Sequence, residues 1–261
     1  MLHTLSRWLG LTRDPPVIPD EMWTKVERSL PFLAFLQAAD RQRLRVLAQG
    51  FLTGKQFHGA HGLRLTDEML LSISLQACLP ILRSGLDAYR SWIGVVIYPG
   101  DFVIRRHEMD EAGVVHEYDD EVLGEAWEGG PVLLSWFDAN EAPDGVNVVI
   151  HEFAHKLDME NGGVDGLPRL PAQMSRAVWA EAFSSAYEDF CREVDAGVET
   201  VLDPYGAEHP GEFFAVASES FFETPCRLAQ RYPAMYAQLA AFYGVDPASG
   251  ERRLADNAAR A

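Results

Sequence analysis

The stretch His151-Glu152-Phe153-Ala154-His155, which reads H-E-x-x-H, constrains this chain more than any other feature. Residues four apart lie on one face of an α-helix, so both imidazoles can reach one metal ion. Glu152 would project beside that ion, which suits a carboxylate that takes a proton from metal-bound water. The alternative is a chance match without function, which arises on the order of once in a hundred chains of this size.

The spacing has this meaning only if the stretch is helical, and its flanks predict a helix. Asp144 and Asn147 are residues that cap helix starts, and residues 162–163, both glycine, favour a helix end. Apolar side chains at helical spacing predict a buried side: Val148, Phe153 and Leu157. A catalytic helix in the core of a metallopeptidase has this pattern.

Length and charge narrow the possibilities. The chain has 261 residues, enough for one large domain or two modest ones, and its net charge of −17 argues against direct nucleic-acid binding. Its three cysteines, without a C-x-x-C pattern, do not form a disulfide framework. We find no secretory segment and no apolar run long enough to span a membrane, so we expect a cytoplasmic protein without membrane attachment.

Hydrophobic periodicity predicts an α+β fold with a helical N-terminal portion and a small, largely antiparallel sheet, and the H-E-x-x-H motif adds the expectation of zincin-like catalytic helices. We expect residues 1–85 to be mostly helical, residues 86–250 to form the zincin-like metallopeptidase domain and residues 251–261 to be a flexible tail. Strands are expected at residues 92–98, 102–104, 114–116 and 131–136. The last of these could pair with an extended substrate as an added strand.

A catalytic zinc ion takes three protein ligands and keeps one position for water, so two histidines are not enough. The chain lacks the H-E-x-x-H-x-x-G-x-x-H extension, which excludes a metzincin. Glu212 and Glu219 lie seven residues apart in an otherwise apolar predicted helix, where a carboxylate is costly to bury unless it is paired or bound to metal. The residues alone do not choose between them, nor do they exclude that both face solvent.

Residues 149–158 together with residues 205–222 resemble the Mlc titration factor A family, and residues 96–99 and 124–132 fit it as well. The similarity runs from about residue 20 to about residue 245. It implies a zinc peptidase of aminopeptidase type, with one Zn²⁺, in the gluzincin-like group that includes anthrax lethal factor. It also implies cytoplasmic binding of Mlc, a glucose-responsive transcriptional repressor.

The resemblance further implies that His151, His155 and Glu212 are the metal ligands and that Glu152 is the general base. A histidine ahead of the motif has been associated with the metal in this family, and His116 is the nearest match. The other interpretation of His116 is an exposed histidine on a strand.

Three further residues have two interpretations each. Tyr205 matches a family tyrosine near the active site and could donate to a developing oxyanion, or it could be a packed aromatic residue. His209 could share that role or cap the helix that begins at Pro210. Asp158 could orient a ligand imidazole or simply end the motif helix.

Two other functions stay open at this point. The chain could be a repressor-binding protein with a vestigial zinc site and no peptide substrate, or it could be a purely structural zinc domain. A zinc site with all four positions filled by protein would favour the structural interpretation.

Overall fold

The computed structural model describes residues 17–109, 115–137 and 147–259. Its helices fall into an N-terminal group and a larger group after the strands. They are α1 (Asp20–Arg28), α2 (Ala38–Gly54), α3 (Asp67–Cys78), α4 (Val148–Asp158), α5 (Arg176–Asp195), α6 (Pro210–Glu223), α7 (Pro225–Arg231), α8 (Pro233–Tyr243) and α9 (Pro247–Ala259). The strands are β1 (Gln56–Gly59), β2 (Gly94–Tyr98), β3 (Phe102–Met109), β4 (Val115–Val122), β5 (Gly124–Ala126) and β6 (Val132–Ser135).

The main sheet has the strand order β1-β2-β6-β5, and β3 and β4 form a separate antiparallel pair. The α+β class is therefore confirmed, but the main sheet is mixed rather than largely antiparallel. β1 and β6 both run parallel to β2, and only β5 and β6 are antiparallel. Parallel neighbours need a long crossover, and helix α3 supplies it between β1 and β2.

Helix α4 is held in the core by its aromatic face. Phe153 is fully buried, and its ring centroid lies 5.2–5.6 Å from those of Phe51, Tyr89 and Trp92. Ring pairs at such separations pack favourably in edge-to-face geometry. α4 also packs against α6, so the residues of α4 that point to α6 are fixed in position.

Lys156 ties α4 to the turn between β5 and β6. Its ammonium group donates hydrogen bonds to the carbonyl oxygens of Trp127 and, at 2.8 Å, Gly130. It also lies 4.9 Å from the ring centroid of Trp92. Burial lowers the pKa of Lys156 to about 8, a shift that the nearby Glu152 only partly opposes. These hydrogen bonds hold the turn between β5 and β6 against α4.

The C-terminal residues differ from the predicted flexible tail, because α9 extends from Pro247 to Ala259. The hydroxyl of Tyr236 donates to Asp246 at 2.7 Å and accepts from the backbone N–H of Ala248 at 2.9 Å, which anchors the start of α9. The division at residue 85 stays a prediction. β1, from the predicted helical portion, pairs with β2 on the other side of that boundary.

Across the three ranges that the structure describes, no helix combines the length and the apolar composition that crossing a membrane requires.

Candidate metal centre

The H-E-x-x-H stretch is helical, as the sequence predicts. Asn147 caps α4, since its side-chain oxygen accepts the N–H of Ile150 at 2.9 Å. His151 and His155 therefore lie one turn apart, with ring centroids separated by 4.8 Å. Helix α4 thus presents both imidazoles to α6.

Glu212, in the first turn of α6, completes a three-residue cluster. Its Oε2 atom lies 3.0 Å from Nε2 of His151 and 3.1 Å from Nε2 of His155, and the two Nε2 atoms are 3.1 Å apart. Among the described residues, this is the group of His, Cys, Asp and Glu side chains whose ligand atoms converge closely enough for one metal ion. The structure therefore brings together all three ligands that the resemblance implies.

The chemistry of these donors fits a cation. Ligand atoms held tetrahedrally at ordinary zinc bond lengths are separated by roughly 3.3 Å, close to the three separations observed. Three lone-pair atoms facing one another repel unless a proton or a metal ion lies among them. Burial alone would lower the pKa of His151, but Glu212 and Glu219 outweigh it and raise that pKa well above its usual value. The site therefore attracts positive charge, and a metal ion would displace the proton.

Glu212 itself is held in its charged form. Burial by itself would raise the pKa of this carboxyl, but hydrogen bonds with the imidazoles of His151 and His155 outweigh it and lower the pKa well below the usual range. A carboxylate that stays ionised is the form that ligates zinc.

Glu219 occupies a different place from Glu212. Its Oε1 lies 2.7 Å from Nδ1 of His151, the ring nitrogen that points away from the cluster. Its Oε2 accepts the backbone N–H of Asn147 at 2.5 Å. The same carboxylate thus holds the start of α4 and one imidazole, an arrangement that fixes the tautomer of a ligand histidine.

Glu152 lies in a cleft of about 190 Å³ beside the cluster. It is buried, and its Oε2 has no hydrogen-bond partner among the described residues. Burial raises the pKa of Glu152 to about 8, which the charge of His151 opposes and the carboxylates of Glu212 and Glu219 reinforce. A carboxyl with a raised pKa and a free oxygen is suited to accepting and returning a proton.

The backbone of β5 lies directly against Glu152, at Gly124. A Cβ atom added at Gly124 would lie 2.5 Å from Oε1 and 2.6 Å from Cγ of Glu152, too close for the carboxylate to stay in place. We expect Gly124→Ala to lower kcat by about 10²-fold, since displacing a reacting group by about 1 Å costs that much. The amount of bound metal should not change, because the substituted residue is not in the three-residue cluster.

Gly163→Ala is the matched control for that variant, since a Cβ there has no atom within 4 Å. Steady-state kinetics and metal analysis of the two variants check the prediction. A Gly124→Ala protein with full activity would show that Glu152 does not need its observed position.

Of the other residues that the sequence suggested for the site, one lines the cleft, one caps a helix and one lies on a strand. Tyr205 lines the same cleft, with its ring centroid 6.1 Å from that of His151 and its side chain about half exposed. His209 caps α6, because its Nδ1 accepts the N–H of Gly211 at 3.1 Å. His116 lies on β4 opposite Glu108, and its side chain lies outside the described residues, so its role as a ligand stays a prediction.

Asp158 holds the loop after α4. It is fully buried, and its Oδ2 accepts the N–H of Gly166 at 2.7 Å. Burial raises the pKa of Asp158 to about 6 from 3.8, although the Gly166 hydrogen bond opposes the rise. The folded state therefore disfavours the ionised carboxylate. We expect the contribution of Asp158 to the free energy of unfolding to fall as pH rises from 3.8 to about 6, by up to about 3 kcal/mol.

Urea unfolding of the metal-free protein across this pH range checks the Asp158 prediction. Residue 158 cannot titrate in Asp158→Asn, so the wild type should lose stability relative to this variant as pH rises. If both proteins show the same pH dependence, Asp158 is not the group responsible.

Two residues that shape the site were missed by the sequence analysis: Gly124 and Lys156. A glycine in a strand often marks close approach of another group, but no strand was predicted at β5, so the sequence offered no such signal for Gly124. A lysine directly after His155 in a helix predicted to be buried was a signal for Lys156, because a buried ammonium group needs acceptors.

Comparison with known proteins agrees with the geometry. The family model described as glucose-regulated metallo-peptidase M90 matches residues 4–244. The Mlc titration factor A of Serratia proteamaculans is 37% identical over 98% of this chain and 99% of its own length. That of Yersinia pestis is 37% identical over 97% and 96%. An uncharacterised protein of Synechocystis is 38% identical over 84% of this chain and 81% of its own. The resemblance recognised in the sequence is confirmed.

Proposed function

This chain belongs to the glucose-regulated metallo-peptidase M90 family, and from that premise we propose that it hydrolyses peptide bonds with one zinc ion held by His151, His155 and Glu212. The observation that carries this proposal is the convergence of three ligand atoms from α4 and α6, with Glu152 beside them. Two histidines and one glutamate are a frequent ligand set of catalytic zinc, and they leave one position open.

Zinc bound here would polarise the scissile carbonyl and lower the pKa of a water molecule. The residues of the chain do the rest. Glu152 accepts a proton from the attacking water and returns it to the leaving amine. The phenol of Tyr205, across the cleft from His151, donates a hydrogen bond to the oxygen that gains negative charge. Glu219 keeps His151 in the tautomer whose Nε2 faces the metal.

The substrate would pair with β5 rather than with the strand near residues 131–136 proposed from the sequence. β6 already pairs with β2 on one side and β5 on the other, whereas β5 ends the strand order and lies against Glu152. An extended peptide added to an edge strand gains main-chain hydrogen bonds, which fix the position of its scissile bond.

An aminopeptidase also needs a group that binds the free amino terminus of its substrate. Glu125 lines the cleft, and its carboxylate accepts a hydrogen bond from Nε1 of Trp127 at 2.5 Å, which holds it there. A carboxylate in this position would attract an ammonium group. This supports the aminopeptidase type within the proposal.

Chromogenic aminoacyl substrates and longer peptides, each with a free or an acetylated amino terminus, test this function. We expect the zinc-loaded protein to cleave the free-amine forms, to lose activity with a chelator and to recover it with zinc. A protein that binds zinc but cleaves none of these would contradict the peptidase. Equal cleavage of acetylated forms would contradict the aminopeptidase type alone.

A second candidate function is cytoplasmic binding of Mlc, the repressor that the sequence resemblance implies. The Serratia and Yersinia relatives are both named Mlc titration factor A. The net charge of −17 suits a partner with a basic DNA-binding surface. If binding is the whole function, the zinc site is vestigial, and a Glu152→Gln protein binds the repressor as the wild type does. Association that does not weaken with added salt would argue against the charge complementarity.

A further inference from the structure

A second and larger cavity, of about 600 Å³, lies at the start of α4. It is lined by the segment Pro31–Phe35, α3, the end of β6, the first turn of α4, the end of α6 and the start of α9. Its volume is in the range of small-molecule sites, roughly 300–1,000 Å³. The metal cleft does not include these residues, so the peptidase proposal gives this cavity no role.

Part of the cavity wall is polar. Ser72, Gln76, Ser135 and Asn147 line it, and each is more than nine-tenths buried. Ser135 Oγ has no hydrogen-bond partner among the described residues. That oxygen is itself shielded from solvent, so the polar group of a ligand would meet Glu223, whose side chain is only partly buried.

The charge of the wall selects the ligand. Glu223 and Glu251 are the charged side chains among the described residues that line it, and both are acidic. Aromatic side chains supply much of the remaining surface: Phe32, Phe35, Trp136, Phe137 and Phe222. We propose that this cavity binds a small amphipathic amine, whose ammonium group contacts the carboxylate of Glu223 and whose apolar body packs on the aromatic side chains.

A hydrogen-bonded path connects this cavity to the metal centre. Asn147 Nδ2 donates to Glu223 Oε1 at 2.8 Å and to Gln76 Oε1 at 2.9 Å. The backbone N–H of Asn147 donates to Glu219, which contacts His151. A cation bound at Glu223 opposes a second cation held by His151, so the amine weakens zinc binding. By linkage zinc weakens amine binding equally. This coupling rests on the proposed function, whereas amine binding itself does not.

Calorimetric titration of the metal-free full chain with phenethylammonium chloride tests the site, with 3-phenylpropionate as an anion of similar size. We expect saturable binding of the amine and at least tenfold weaker binding of the anion. Glu223→Gln keeps an acceptor for Asn147 and should weaken amine binding at least tenfold. Glu251→Gln removes the same charge at an exposed position and should change it less than threefold. Equal binding of amine and anion, or no effect of Glu223→Gln, would overturn the proposal.

Zinc competition titrations with and without saturating phenethylammonium test the coupling. We expect the amine to weaken zinc binding at least threefold in the wild type and not in Glu223→Gln. Unchanged zinc affinity with the amine bound would overturn the coupling. If the amine-free wild type binds no zinc, the proposed function fails instead, and the amine titration still decides whether the cavity is a binding site.

Discussion

Glu152→Gln is expected to lower kcat for peptide hydrolysis by about 10²–10⁴-fold, the usual contribution of a positioned general base. Gln has nearly the same shape as Glu, so it occupies the space under Gly124, but it cannot accept a proton at neutral pH. Zinc affinity should not fall, because Glu152 does not belong to the cluster of His151, His155 and Glu212. Turnover and metal content, measured on the same preparation, check both parts.

The control for Glu152→Gln is Glu125→Gln, which removes one negative charge from the same cleft. In the proposed mechanism Glu125 binds the substrate amine, so this variant should raise KM more than it lowers kcat. Wild-type turnover by the Glu152→Gln protein would end the assignment of Glu152 as the base. A fall in kcat accompanied by loss of zinc would show a structural role instead.

The sequence predicted helix α4 because several local signals agreed there. The cap at Asn147, the apolar face with Phe153 and the glycine at residue 162 each specify a helix over these residues. The β1 strand was missed, since Gln56–Gly59 is short and follows α2 after a single residue. Its identity as a strand depends on pairing with β2, a distant contact that local pattern does not encode.

Whether neighbouring strands are parallel or antiparallel could not be predicted from the sequence either, because it also depends on distant contacts. Runs of β-branched, aromatic and other apolar residues identify β2 and β6 as strands, but they did not reveal which neighbours are parallel. The helix α9 was missed because its charged sequence, with arginines at 252 and 253, resembles an exposed tail. Its order comes from contacts of its first turn, such as Gly250 packed against Phe35.

The sequence predicted the histidine pair of the site but not the position of the third ligand. The pair His151 and His155 follows from helix geometry alone, whereas the third ligand depends on how α4 and α6 cross. Periodicity places Glu212 and Glu219 on nearly the same face of α6 and cannot say which imidazole nitrogen each one meets. Only the packed structure shows that Glu212 faces both Nε2 atoms and that Glu219 meets Nδ1 of His151.

That difference predicts two distinct outcomes for zinc binding. Glu212→Ala should abolish stoichiometric zinc retention, since it removes an oxygen that lies 3.0 and 3.1 Å from the two Nε2 atoms. Glu219→Gln should weaken zinc binding by about 10–100-fold, the usual cost of losing a partner that orients a ligand histidine. Competition with a chelating dye of known affinity measures both values.

Glu125→Gln again serves as the control, because it removes a negative charge from the cleft but no contact with the imidazole nitrogens of His151. The zinc affinity of this variant should stay within about threefold of wild type. The order of the variants in zinc affinity shows which carboxylate is the third ligand. If Glu219→Gln loses more zinc than Glu212→Ala, then Glu219 is the third ligand in solution and α6 must rotate relative to α4. If all three variants lose zinc equally, the cluster acts only through its total charge, and the directed geometry of two imidazoles and one carboxylate has no part in holding the metal.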